Sequence, residues 1–88
     1  MTSKSVTVGS SVGLHARPAA VIAQAASAAS TPVTLSMPDG TPVDAGSALL
    51  IMTLGAKMGD TVVVESDDDE LVETIASLVE EDLDSQPA

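Results

Sequence analysis

No phenylalanine, tyrosine, tryptophan or cysteine occurs in this 88-residue chain. Its core must be assembled from Val, Leu, Ile, Met and Ala, and disulfides, thiolate metal sites and thiol catalysis are excluded outright. A chain of this length buries only about 60% of the surface it exposes when unfolded, so its stability margin is modest. A single domain over residues 1–88 is expected.

Aliphatic patterning then sets the elements. Residues 4–9 alternate polar and β-branched side chains and predict a short strand. Residues 16–29 are alanine-rich helix formers, suited to a helix packed close against a sheet, and Ser30-Thr31-Pro32 stops them. Residues 33–37 predict a second strand, Pro38-Asp39-Gly40 a turn, and residues 41–43 the returning arm of a hairpin. The apolar run 47–54 predicts a short helix capped by Ser47 and ended by Gly55. Residues 61–66, with three valines in succession, are the clearest strand. Asp67, Asp68 and Asp69 open a last helix, in which Leu71, Val72, Ile75, Leu78, Val79 and Leu83 recur at helical spacing. The order β-α-β-β-α-β-α predicts an α+β open-faced sandwich, a four-stranded antiparallel sheet with three helices on one face. The tail 84–88 is expected to fray.

The formal net charge is −10, and Lys4, Arg17 and Lys57 are the only Lys or Arg residues. Nucleic-acid binding needs several cations to displace counterions from phosphates, and this chain lacks them. An anionic membrane surface would repel it. The longest apolar stretches, 19–29 and 48–56, fall short of the roughly 20 residues of a membrane-spanning helix. No basic region followed by an apolar run marks a signal peptide, so a cytoplasmic protein without membrane insertion is expected.

Residues 13–20 read Gly-Leu-His-Ala-Arg-Pro-Ala-Ala and hold the only histidine and the only arginine. A proline early in a helix-forming run marks a first turn, because its missing N–H would be unpaired there anyway. His15 is therefore expected at the cap of a helix. The N–H groups of Ala16 and Arg17 and the positive dipole end favour an anion there. A free imidazole has a pKa of about 6.5, so one ring nitrogen is mostly unprotonated near neutrality. Phosphoryl transfer asks a protein mainly for positioning and for neutralising the equatorial oxygens. Arg17 offers a planar fork of donors for that purpose. Chemistry on phosphate follows, with His15 as acceptor, Arg17 as stabiliser, and the backbone of Ala16 and Arg17 as the phosphate cradle. A lone His-x-Arg would more often be a helix cap beside a solvated charge.

The block Gly13-Leu14-His15-Ala16-Arg17-Pro18-Ala19 resembles the active-site motif of the HPr family, the histidine-containing phosphocarriers of the bacterial phosphotransferase system. A second block, from Val43-Asp44-Ala45-Gly46-Ser47 through Leu54-Gly55-Ala56-Lys57-Met58-Gly59-Asp60, is similar to that family's second signature region. The resemblance covers nearly the whole chain. It implies an HPr-like fold and a stoichiometric carrier, not an enzyme. The δ1 nitrogen of His15 would accept a phosphoryl group from phosphoenolpyruvate-charged Enzyme I and pass it to sugar-specific EIIA domains. Ser47 aligns with a serine that a dedicated kinase phosphorylates in many Gram-positive members. Here Gly46 stands where a basic residue is common and Leu50 where regulated members often have glycine, which favours Ser47 as a structural cap. Family members ring the site with lysines, and this chain does not; Val12 also replaces a frequent polar residue. Docking would lean on apolar Ala48, Leu49 and Met52, although Leu49 and Met52 also suit a core.

Lys57 and Gly59 predict a turn. The three successive aspartates lack the alternating ligands and glycine of a calcium loop, so no metal or cofactor is expected. The same motif residues also fit an HPr-like carrier of a nitrogen-related or dihydroxyacetone kinase chain, and the fold also fits a non-transferring regulatory module. One histidine and one arginine leave no second acid–base group for an autonomous enzyme. Docking several partners in turn suits a monomer.

Overall fold

The computed structural model describes residues 2–9, 14 and 16–80. The elements are β1 (Thr2–Thr7), α1 (Ala16–Ala28), β2 (Val33–Ser36), β3 (Val43–Asp44), α2 (Ala48–Thr53), β4 (Thr61–Ser66) and α3 (Asp69–Glu80). They form the expected β-α-β-β-α-β-α order. The strands make one four-stranded sheet in the order β1-β4-β2-β3, and every pairing is antiparallel.

Period-two alternation assigns the faces. Val6, Val62, Val64, Val33 and Leu35 are buried, and the register sets Val6 opposite Val62 and Leu35 opposite Val64. The intervening positions pair Ser5 with Val63 and Thr34 with Glu65 on the other face, where none is fully buried. One face is therefore covered and the other open.

Helix α3 lies over β1 and β4 and buries Leu71, Val72, Ile75, Ala76 and Val79, the stripe that a 3.6-residue repeat lays on one side. Helix α1 buries Pro18, Ala19, Ile22, Ala23 and Ala26. Its short backbone approaches are mainly to α2 and α3. The alanines thus let helices, more than helix and sheet, come close.

Two polar details hold the layers together. Lys4 shares a face with Val64, and its Nζ reaches Glu73 of α3 at 2.8 Å. Ser66 is the buried polar residue of the described core, at 2% exposure. Its hydroxyl donates to the Pro32 carbonyl at 2.7 Å and accepts from the Asp68 N–H at 3.2 Å. A buried hydroxyl costs little when both its capacities are used.

Small differences separate expectation from structure. β1 runs Thr2–Thr7, two residues earlier than residues 4–9. Val8 still donates to the Asp60 carbonyl in line with the register, but the Asp60 N–H turns back to Lys57 and the Gly9 N–H goes to Val79, so the regular ladder ends at Thr7. The hairpin arm is Val43–Asp44, shifted from residues 41–43. Asp68 caps α3, its Oδ1 accepting from the N–H groups of Glu70 and Leu71. Leu83 and the tail lie outside the described residues. No helix of the described residues is long and apolar enough to cross a membrane.

Candidate functional site

His15, Gly13 and Val12 lie outside the described residues, so the site is built from what flanks them. On one side is Leu14, 4% exposed, whose N–H donates to the Ala56 carbonyl at 3.0 Å. On the other side α1 begins at Ala16. Leu14 anchors the segment in the core, and the helix takes over two residues later. Leu14 and Ala16, the neighbours of position 15, are thus each held in place.

Ala16 and Arg17 are the first two residues of α1 and are exposed. In any helix the N–H groups of these positions point out of the ladder, and the end carries roughly half a positive charge. Pro18, third in the helix, is buried and has no N–H to lose there. No acidic side chain occupies the first turn, so nothing in the helix itself offsets that charge. The geometry suits an anion beside Arg17.

Helix α2 packs against α1 and begins at Ser47, as expected. The Ser47 side chain accepts from the Leu50 N–H at 3.3 Å, with the cap residue in extended backbone. Such a cap contributes about 1 kcal/mol. Gly55 follows the helix with φ +66°, the left-handed conformation that favours glycine after a helix end. Of the residues expected to dock partners, Leu49 is 72% exposed, whereas Ala48 and Met52 are half-buried against the core. Leu50, 41% exposed, and Met58, 61% exposed, present further apolar surface that sequence reasoning did not single out. Helix length had left open which side of so short a helix faced the core.

The expected turn forms at residues 57–60. The Asp60 N–H donates to the Lys57 carbonyl at 2.9 Å, with Gly59 at φ +90°. The Lys57 N–H donates to Asp60 Oδ2 at 3.0 Å.

One signal legible in the sequence gains meaning here. Residues 1–38 and 45–59 contain no Asp or Glu. These stretches include α1, α2, which packs against it, Leu14, and Ala56, which holds Leu14. Of the acids bordering them, Asp39, Asp44 and Asp60, the last two accept from the N–H groups of Gly46 and Lys57. The acidic excess gathers instead on α3 and its flanks, with Asp67, Asp68, Asp69, Glu70, Glu73 and Glu80 among the described residues.

Comparison with known proteins gives a consistent result. A family model for the PTS HPr component phosphorylation site matches residues 2–81. The phosphocarrier protein HPr of Streptomyces coelicolor is 42% identical over 90 aligned positions, covering 99% of this chain and 97% of that protein. Among solved structures, HPr-C-His from Thermoanaerobacter tengcongensis superposes with a TM-score of 0.84 at 30% identity, covering 99% of this chain and all (100%) of that one. A phosphocarrier protein HPr from Bacillus anthracis gives a TM-score of 0.79 at 33% identity, covering 89% and 95% of the two chains.

Proposed function

Because this chain belongs to the HPr family of phosphocarriers of the phosphotransferase system, we propose that His15 is its phosphoryl acceptor. On this proposal it takes the group from phosphoenolpyruvate-charged Enzyme I and passes it to EIIA domains of sugar permeases. The observation that carries the proposal is the start of α1. Ala16 and Arg17 open a 13-residue helix with no acid in its first turn, directly after His15 in the chain.

The unprotonated δ1 nitrogen of His15 attacks phosphorus, and a P–N bond forms as the bond to the donor breaks. The three phosphoryl oxygens then meet the N–H groups of Ala16 and Arg17 and the Arg17 guanidinium. A charged donor of this kind does most where oxygens gain negative charge in the transfer. Phosphohistidine is labile, which suits a group that must be handed on. The partners supply most of the catalysis, and the chain acts as a stoichiometric carrier in the cytoplasm.

Leu49 and Leu50 extend the site as an apolar docking surface, with Ala48 and Met52 supporting it from beneath. Ser47 serves in this proposal as the cap of α2. A serine kinase acting on it would have to take the hydroxyl that now accepts from Leu50.

The test is intact mass after incubation with phosphoenolpyruvate, magnesium and a bacterial Enzyme I. An acid-labile gain of one phosphoryl group, absent from His15→Ala, is expected. No gain from the folded protein with several Enzyme I preparations would overturn the proposal.

A further inference from the structure

A surface cleft opens at the end of α1 opposite Arg17, about 20 Å away along a 13-residue helix. Its volume is about 350 Å³, and it is lined by the end of α1, the Ser30-Thr31-Pro32 connection, Asp44 and Gly46. That volume is at the lower end of the range usual for small-molecule sites. The two walls are tied together. The Ser27 hydroxyl donates to the Gly46 carbonyl at 3.1 Å, and the Ala45 N–H donates to the Val33 carbonyl at 3.0 Å. Gly46 keeps the space between them open, because a Cβ there would stand 3.2 Å from both Asp44 Oδ1 and Ser27 Oγ.

The charge at this cleft is negative. Asp44 is exposed; its Oδ1 accepts from the Gly46 N–H at 2.9 Å, and its Oδ2 has no donor among the described residues. No Lys, Arg or His lines the cleft. The last turn of α1 holds no basic residue, although the dipole gives that end roughly half a negative charge. No non-glycine residue among those described has a positive φ, so no left-handed cap closes the helix. The Ala29 N–H returns to the Ala26 carbonyl at 3.2 Å, but among the described residues no backbone N–H beyond the helix returns to the carbonyls of Ser27 and Ala28.

Such a cleft repels an anion. It is also too sparse for a metal: no three His, Cys, Asp or Glu side chains gather among the described residues, and hard cations take six or more oxygens. What fits is one positive group with several N–H donors, joined to a short apolar chain for Ala26 and Pro32. We propose that the cleft binds a small primary amine as its ammonium ion. One N–H meets Asp44 Oδ2, the others meet the end of α1 and the hydroxyls of Ser30 and Thr31, and the alkyl part lies against Ala26 and Pro32. No covalent bond forms, and the site makes no use of the carrier role.

The experiment titrates the whole isotope-labelled protein with n-butylammonium chloride at constant physiological ionic strength and follows the backbone amide signals by NMR. Tetramethylammonium, a cation without N–H donors, is titrated in parallel. Saturable shifts confined to residues 26–33 and 44–46 are expected with butylammonium and not with tetramethylammonium. Asp44→Asn keeps an Oδ1 acceptor for Gly46 but loses the charge, and should raise the Kd about tenfold. Asp39→Asn, the same charge change at an exposed acid outside the cleft, should leave it unchanged, and a dispersed spectrum confirms that each variant is folded. Shifts that do not saturate, shifts centred on the acidic α3, an equal response to tetramethylammonium, or equal losses in the two variants overturn the proposal. A short peptide with one lysine that saturates these signals where butylammonium does not would assign the cleft to a protein side chain and overturn it as well.

Discussion

Substituting Gly9 by alanine is the sharpest test of how the end of β1 meets the end of α3. Gly9 follows β1, and its N–H donates to the Val79 carbonyl at 3.1 Å, near the end of α3. A Cβ at this position would sit 1.7 Å from the Glu80 carbonyl oxygen, half the 3.4 Å at which ordinary contact begins. No rotamer relieves a clash between a Cβ and backbone, so either the loop or the helix end must move. Movement on that scale breaks the Gly9–Val79 bond, worth about 1 kcal/mol net, and adds overpacking of about 1–3 kcal/mol. The total of about 2–4 kcal/mol is a large share of the roughly 4–13 kcal/mol expected of 88 residues. Thermal unfolding followed by far-UV circular dichroism, since the chain has no tryptophan to report, should show a Tm lowered by roughly 10–25 °C. Gly40→Ala is the control. Its Cβ would meet Met37 at 3.4 Å or beyond, and a near-neutral effect within about 0.5 kcal/mol is expected. A Gly9→Ala protein that melts within a few degrees of the parent refutes the claim that the two backbones are in contact.

Arg17→Ala should lower the rate of phosphorylation by Enzyme I by about 10²-fold while leaving the Tm nearly unchanged, because Arg17 is exposed and its proposed work is on transition-state charge; rapid-quench phosphorylation checks it. Ser66→Ala should cost about 1–3 kcal/mol in urea unfolding, because it strips a partner from the Pro32 carbonyl and the Asp68 N–H at once. The hydrogen bond to Glu73, reinforced by the charges of Glu73 and then Glu80, raises the Lys4 pKa above the ordinary 10.5. A raised pKa in the folded state means this contribution is fully present below pH 10.5 and is lost as pH climbs through the folded value. The alkaline limb of the parent's stability curve should therefore be steeper than that of Lys4→Met, and superimposable limbs would count against the pair.

Local chemistry made most of the fold legible, and distance in sequence hid the rest. β4 forms over Thr61–Ser66, the predicted span, because three adjacent β-branched valines between turn residues leave little else to form. The cap at Ser47 and the left-handed Gly55 are likewise encoded within a few residues. The strand order, with β4 between β1 and β2, depends on contacts across most of the chain and has no local signature. The same is true of the Gly9 approach to Glu80 and of the burial of Ser66, whose partners are Pro32 and Asp68. The places of Arg17 in the first turn of α1 and of Ser47 at the cap of α2 were readable from their own neighbours. Leu50 and Met58 were not, because exposure of an apolar side chain is decided by what packs over it.

A chain of charge −10 with three cations is an unpromising acceptor for a dianionic group. Placement resolves the difficulty. An acid beside His15 would favour the imidazolium, which cannot accept, and would repel the phosphoryl oxygens once transferred. Both penalties fall off with distance and with salt, over about 8–10 Å in physiological buffer. Keeping residues 1–38 and 45–59 free of acid therefore removes the share of that cost that chain neighbours would impose, without changing the net charge. Acids are placed where they help: Asp69 and Glu70 in the first turn of α3, where the helix dipole favours them, and Glu73 paired with Lys4. On the proposed reading, one arginine and one helix end would then serve His15, because the helix they open carries no acid of its own.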